Sequence, residues 1–452
     1  MIRDSALQSW GAWLLLIAYV AVSLLHGDLV LSGGLALAAI LLAMNGLGRT
    51  RLWLPVHDTH WWPSHPRLQW LHHIFDEGEF AGIAIAVVCL ALIVQRGEAA
   101  FPSGAIAFAT GPITLFGILS AANLAAADMQ HLLSKLERRV GTFLTIVLGS
   151  CLASFASVGA AAFVGDYFVT RSKTENKPAV ATGLAATIGS GMGLTPFAAP
   201  PVLIVWPLLQ SNLAWTLGTL ITLVGVGAML HVYLSALRFK DLIEPAAARL
   251  DSDHARWPAS AVLLLIVVLA NIFFAGHPLV LAIDVATGVA GIRQGRDYAS
   301  RWQPLVLAAL LAGLDVVGRE SDPFIQSLAT HLPAEAPTLL LAWMLWYVTA
   351  FTSHFADNAL ASRIFIGVAF TLGAHTGRSA EEADLLAASV VLGAMWGGFA
   401  LIPANLPNFR LAKVFEVSPG AWGRAALTRL YLSTGWIQPL WIAAAFLLWH
   451  HF

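Results

Sequence analysis

The sequence predicts an all-α polytopic membrane protein: an inverted repeat of about 11 transmembrane helices, two re-entrant hairpins and two broken helices. Three observations lead there. Of 452 residues, 58% are hydrophobic and only 11% charged, with a mean hydropathy of +0.73, a balance foreign to soluble domains of this size. Two stretches set polar residues, Gly and Pro in the middle of apolar runs. The basic residues then fall largely on one side of the spans.

Taken in order, residues 1–27 form a first helix outside the repeat. MIRDSALQSWGAWLLLIAYVAVSLL lacks a small-residue cleavage site and runs into the next span, so it reads as a retained helix rather than a signal peptide. The first repeat covers 28–237, with spans at 28–46, 70–95, 104–128 and 213–237, a hairpin at about 140–171 and a broken helix at about 179–210. A cytoplasmic linker occupies 238–256. The second repeat covers 257–452, with spans at 257–275, 278–292, 302–318 and 430–450, a hairpin at about 336–374 and a broken helix at about 384–409. Many of the 17 Trp sit near span ends, as interfacial anchors do. Cys89 and Cys151 lie in apolar runs and give neither a disulfide framework nor metal spacing.

With the amino terminus inside and the carboxyl terminus outside, 21 of the 25 Lys and Arg fall on the cytoplasmic side. The exceptions are Arg96, Arg319, Arg363 and Arg378. The net charge of -1 hides this bias. The first hairpin is flanked by Lys135, Arg138 and Arg139 and by Arg171, Lys173 and Lys177, so it should open from the cytoplasm. The second is flanked by Glu335 and by Glu381, Glu382 and Asp384, so it should open from outside. Hairpins entering from opposite faces imply inverted repeats. A faint internal similarity agrees: CLASFASVGAAAF (Cys151–Phe163) lies on YVTAFTSHFADNA (Tyr347–Ala359), each followed by a Gly-rich, Pro-broken helix.

The chemistry concentrates in the second repeat. AFTSHFADN places Asp357 and Asn358 between two short apolar arms, and GGFALIPANLPN breaks the next helix around Pro403 and Pro407, which lack a backbone donor. A carboxylate at membrane depth costs at least a few kcal/mol unless it faces a cavity, pathway or partner. Freed backbone at that depth is tolerated only when protein or water satisfies it. Asp357 is therefore the first candidate: a carboxylate taking a proton or a sodium ion by turns, because loss of water favours the neutral acid and a bound cation favours the ionised one. Asn358, Asn405, Asn408, Thr195, Ser353 and Ser157 would complete an oxygen shell. Each also has a structural reading, as a helix cap or as a partner for freed backbone.

These residues resemble a known group. FADNAL (Phe355–Leu360), GGFALIPANLPNFRLAKVFEVSP (Gly397–Pro419) and LTPFAAPPVLIV (Leu194–Val205) are similar to the hairpin tip and the two broken helices of sodium/proton antiporters of the ion transporter superfamily. HHIFDEGEF (His72–Phe80) resembles their His-x-x-x-Glu-x-Glu pattern, carried here by His73, Glu77 and Glu79. The resemblance implies a secondary active transporter that exchanges sodium or a related monovalent cation for protons by alternating access. It implies a bacterial plasma (inner) membrane location and a homodimer. The partners expected are the transported ion or small solute and the lipid bilayer, with no nucleic acid, no cofactor and no metal beyond a transported cation at Asp357.

Proton-relay candidates are His354, Glu77, Glu79 and Asp166. Glu77 and Glu79 are two apart on a helix and so face different ways. Asp284 and Asp315 lie near apolar centres and are candidates for a second protonation step. The chain departs from the family pattern at the first hairpin tip, where Val158 and Gly159 stand in place of an acidic residue followed by Pro. That favours the alternative, a carrier of a small organic or inorganic anion on the same scaffold, with helix amino termini facing the solute. No enzyme is expected. No phosphate-binding Gly-x-x-x-x-Gly-Lys-Ser/Thr segment occurs, and GDYF (Gly165–Phe168) is half an intramembrane aspartyl-protease signature with Phe163 in place of its first Gly.

Overall fold

The structure is a computed structural model, and it describes residues 2–25, 28–45, 88–89, 91–92, 94, 105–156, 159–169, 171–194, 200–205, 220–244, 259–274, 276–294, 298–331, 335–355 and 358–451. Asp357, Ser157, Thr195, Glu77 and Glu79 lie outside the described residues, and so does most of the span expected at 70–95.

The described chain is helical, and its only β pairing is the single bridge between Ser172 and Ile243. Three stretches are long and apolar enough to cross a membrane: Thr110–Cys151, Leu223–Leu242 and Pro419–Leu448. The helices that matter below are α1 (Ile2–Leu25), α2 (Leu29–Asn45), α3 (Ala105–Cys151), α4 (Gly159–Val169), α5 (Lys177–Gly191), α6 (Pro200–Val205) and α7 (Val226–Phe239). They are followed by α8 (Ala259–Phe274), α9 (Pro278–Gln294), α10 (Tyr298–Ala329), α11 (Thr338–Phe355), α12 (Asn358–His375), α13 (Ala380–Gly397), α14 (Leu406–Val414), α15 (Pro419–Ala425) and α16 (Ile437–His451).

Helix α3 is two helices joined at Gly141, whose φ of 80° and ψ of 167° a side chain would resist. Its part after Gly141 and α4 are the arms expected at 140–171, and they pack together. Their open end is clasped by Glu137, which pairs with Arg171 and accepts hydroxyl bonds from Thr142 and Tyr167. Arg171 also holds the Glu244 carbonyl at 2.8 Å, tying this end to the segment after α7. The second pair of arms, α11 and α12, is closed the same way by different residues. Arg378 donates to Thr338 at 3.2 Å and to the Ala336 carbonyl, and Thr338 donates to Glu382 at 2.6 Å.

Helix α5 gives way to a 3-10 turn at Met192–Leu194, and α13 gives way to one at Ile402–Ala404 before α14 resumes. Helix α14 packs on α4 and α5, while α6 packs on α12 and α13. Close approach permits this packing. A Cβ on Gly191 would collide with the Ser150 carbonyl, and one on Gly393 with the Trp346 carbonyl, and Ser150 and Trp346 each stand one residue before the two similar segments. Every residue of α5 from Ala179 onwards, and of α13 from Ala383 onwards, is buried. These two helices lie in the interior of the described part of the protein.

Some boundaries differ from expectation. The span expected at 302–318 is part of a 32-residue helix that runs through both Pro304 and Pro323. Helix α13 begins at Ala380, ahead of the expected 384, because Ser379 and Glu382 form a capping box.

Candidate functional site

Pro403 and Pro407 supply no backbone donor, so the carbonyls at the end of α13 need other partners. Asn408 provides them. Its side-chain amide donates to the Gly398 carbonyl at 2.7 Å and to the Leu401 carbonyl at 2.8 Å, and the residue is wholly buried. Trp422 adds a bond from its indole nitrogen to the Phe399 carbonyl at 3.0 Å. The break is therefore a built structure. Asn408 has the structural task its sequence position allowed.

Asn405 has a different setting. It is extended, with φ of -157° and ψ of 145°, and buried. Its side-chain nitrogen lies 3.2 Å from the point where a Cβ on Gly189 would stand and 3.4 Å from the same point on Gly398. One amide thus lies between the first broken helix and the second.

Next to Gly189, Ser190 forms a 2.5 Å hydrogen bond with Nδ1 of His231 on α7. The His231 ring stacks at 5.6 Å on Phe399, inside the second break, and both Ser190 and His231 are fully buried. Thr434 approaches Nε2 of His231 at 3.4 Å. His231 escaped the sequence reasoning, although a lone His inside the apolar run VGAMLHVYLSAL is the kind of intramembrane polar residue that asks for a partner.

The remaining predicted residues are spread around this centre. Ser353 is buried on α11 and donates to the Ala394 carbonyl at 2.9 Å, which fastens the hairpin arm to α13. His354, one residue on, packs against Trp396 and Phe351, with ring centroids 6.1 and 6.2 Å away. Asn358 is the first residue of α12 and is buried. Asp166 on α4 faces Arg410 on α14 at 3.4 Å, a link between the first hairpin and the second broken helix. Asn405, Asn408 and Ser353 thus all bear on one helix end, that of α13, while Asp166 sits against its continuation. Among the described residues no three His, Cys, Asp or Glu side chains gather as a metal-binding group. What the described site offers is amides, hydroxyls, the imidazoles of His231 and His354 and the Asp166–Arg410 pair, together with backbone carbonyls at the breaks.

No family model matches the chain, and no curated protein matches it either.

Proposed function

We propose that the chain is a secondary active transporter that exchanges sodium or a related monovalent cation for protons by alternating access in a bacterial plasma membrane. In this reading it has about 11 spans, an inverted repeat, a cytoplasmic amino terminus and an outer carboxyl terminus. The observation that carries it is Asn405, a buried amide between two interrupted helices. Broken helices that meet inside a membrane protein leave unpaired backbone facing a common point, which is how many carriers build an ion site. In this reading Asp357 would be the acid that takes a proton or a cation in turn, with Asn358 and Asn405 as neutral ligands. The reciprocal packing of α14 on the first half and α6 on the second is what two inverted repeats would produce.

The test uses purified protein in liposomes with an imposed pH gradient. Added sodium should collapse the gradient, and Asp357→Asn should abolish the response. A gradient indifferent to sodium, lithium and potassium alike would remove this reading.

A second reading, transport of a small organic or inorganic anion on the same scaffold, is favoured by Arg410. Two residues beyond Asn408, it has a buried Nε with no hydrogen-bond partner among the described residues, although its guanidinium pairs with Asp166. Uptake of a labelled anion that fails in Arg410→Gln, with no sodium response, would establish it.

A further inference from the structure

Away from both breaks, α8 and α9 pack on the part of α3 before Gly141, and these helices enclose a carboxyl that the proposed ion site does not use. Asp284 on α9 is 0% exposed. Its Oδ1 accepts one bond, from the side-chain amide of Asn271 on α8 at 2.9 Å. The Asn271 carbonyl in turn accepts the Thr114 hydroxyl at 3.1 Å. The α3 backbone closes the pocket at Gly117, where a Cβ would stand 2.5 Å from Oδ1. Oδ2 is buried and has no hydrogen-bond partner among the described residues.

Among the described residues no counter-charge is paired with this acid. Helix α8 carries no titratable side chain, and those of α3 begin only at Asp128, which takes the Ser260 hydroxyl. On α9 itself the basic residue is Arg293, at its exposed far end. Among the described side chains, helix α10 carries Arg319, Glu320 and Asp322, whereas the described hydrogen bond of Asp284 runs to Asn271. An ionised carboxylate with one amide donor and no cation, removed from water, is strongly unfavourable, and the neutral acid escapes most of that penalty.

We propose that Asp284, Asn271 and Thr114 form a proton-binding site inside the helix bundle, with Asp284 carrying the proton in this conformation. The ligand is a proton rather than a metal cation, because Asn271 turns its N–H towards Asp284. A hard cation would need an oxygen there. Release of the proton would leave a bare charge between α3 and α9, so the two helices would have to part or admit water. The site does not depend on the sodium/proton reading of the breaks.

The test is reaction of the full-length protein with dicyclohexylcarbodiimide, which adds to protonated acids in apolar surroundings, followed by mass mapping of the modified peptide. The expected result is a stable adduct on Asp284, unaffected by sodium, lost in Asp284→Asn, and falling as pH rises, by about tenfold per unit once the acid ionises. Infrared spectroscopy checks the same group without a reagent: the wild type should show a protonated-acid carbonyl band that disappears in Asp284→Asn. Absence of both adduct and band overturns the proposal. Protection of Asp284 by sodium overturns it too, in favour of a cation site. Neither readout measures transport, so a failure here is separate from a failure of the liposome assay.

Discussion

The side-chain nitrogen of Asn405 stands 3.2 Å from where a Cβ on Gly189 would be, so the two broken helices meet through an amide and a bare stretch of backbone. Gly189→Ala tests that contact. Alanine should favour the helix by up to about 1 kcal/mol, while crowding a packed interior costs about 1–3 kcal/mol. The protein should therefore fold, with stability lower by roughly 0–3 kcal/mol, and lose most of its transport. A variant that transports normally would show that Asn405 need not hold its position.

Asn408 closes the break with two bonds, to Gly398 and Leu401. The Leu401 carbonyl also accepts from the Ala404 amide at 3.1 Å, so it keeps one partner when Asn408 is shortened. Asn408→Ala should cost about 1–3 kcal/mol, most of it through the Gly398 carbonyl left without this donor. Thermal unfolding in detergent reads the loss. Asn405→Ala should lose less stability and more transport, and the reverse order would exchange the roles assigned to the two asparagines.

Ser190 and His231 are joined at 2.5 Å with no exposed surface. Ser190→Ala leaves an imidazole nitrogen short of its partner, and His231→Phe leaves a hydroxyl in the same state. In a double-mutant cycle the two should couple by about 1–3 kcal/mol, because either single change already forfeits the bond. Additive losses would mean that the bond contributes nothing to stability.

The two interruptions were legible because Gly and Pro act through local rules. Pro403 and Pro407 cannot donate wherever the chain carries them, and the 3-10 turn at Ile402–Ala404 with extended Asn405 follows. The hairpin arms were legible for the same reason, from polar residues between short apolar runs. What sequence could not separate was Asn405 from Asn408: both flank Pro407, and only the packed structure turns one amide onto its own helix end and the other towards the opposite helix. His231 was missed because its meaning lies in Ser190 and Phe399, 41 and 168 residues away along the chain. The clasp between Glu137 and Arg171 was invisible likewise. Arg171 read only as a cytoplasmic charge, and its partner lies 34 residues earlier.

That clasp gives a prediction in pH. Glu137 lies beside Lys135, Arg138 and Arg139, in the charged stretch between the span expected at 104–128 and the hairpin expected at 140–171. Burial alone would push its carboxyl up, but Arg171, with the hydroxyls of Thr142 and Tyr167, outweighs burial and holds it below the ordinary range for a glutamate. The folded state therefore binds this proton less readily than the unfolded state, where a glutamate titrates near about 4.3. A depressed value means that the clasp stabilises fully above that pH, and that its contribution drains away as pH falls through the folded value. Unfolding midpoints measured from pH 7 down to about 3.5 should fall more steeply in the wild type than in Glu137→Gln, whose side chain does not titrate. Arg171→Met should lower stability at every pH above the transition, by on the order of 3 kcal/mol, since it strands a buried carboxylate. Adding Glu137→Gln to it should restore part of that loss by removing the stranded charge. Parallel pH profiles for the wild type and Glu137→Gln would show instead that the clasp adds no stability.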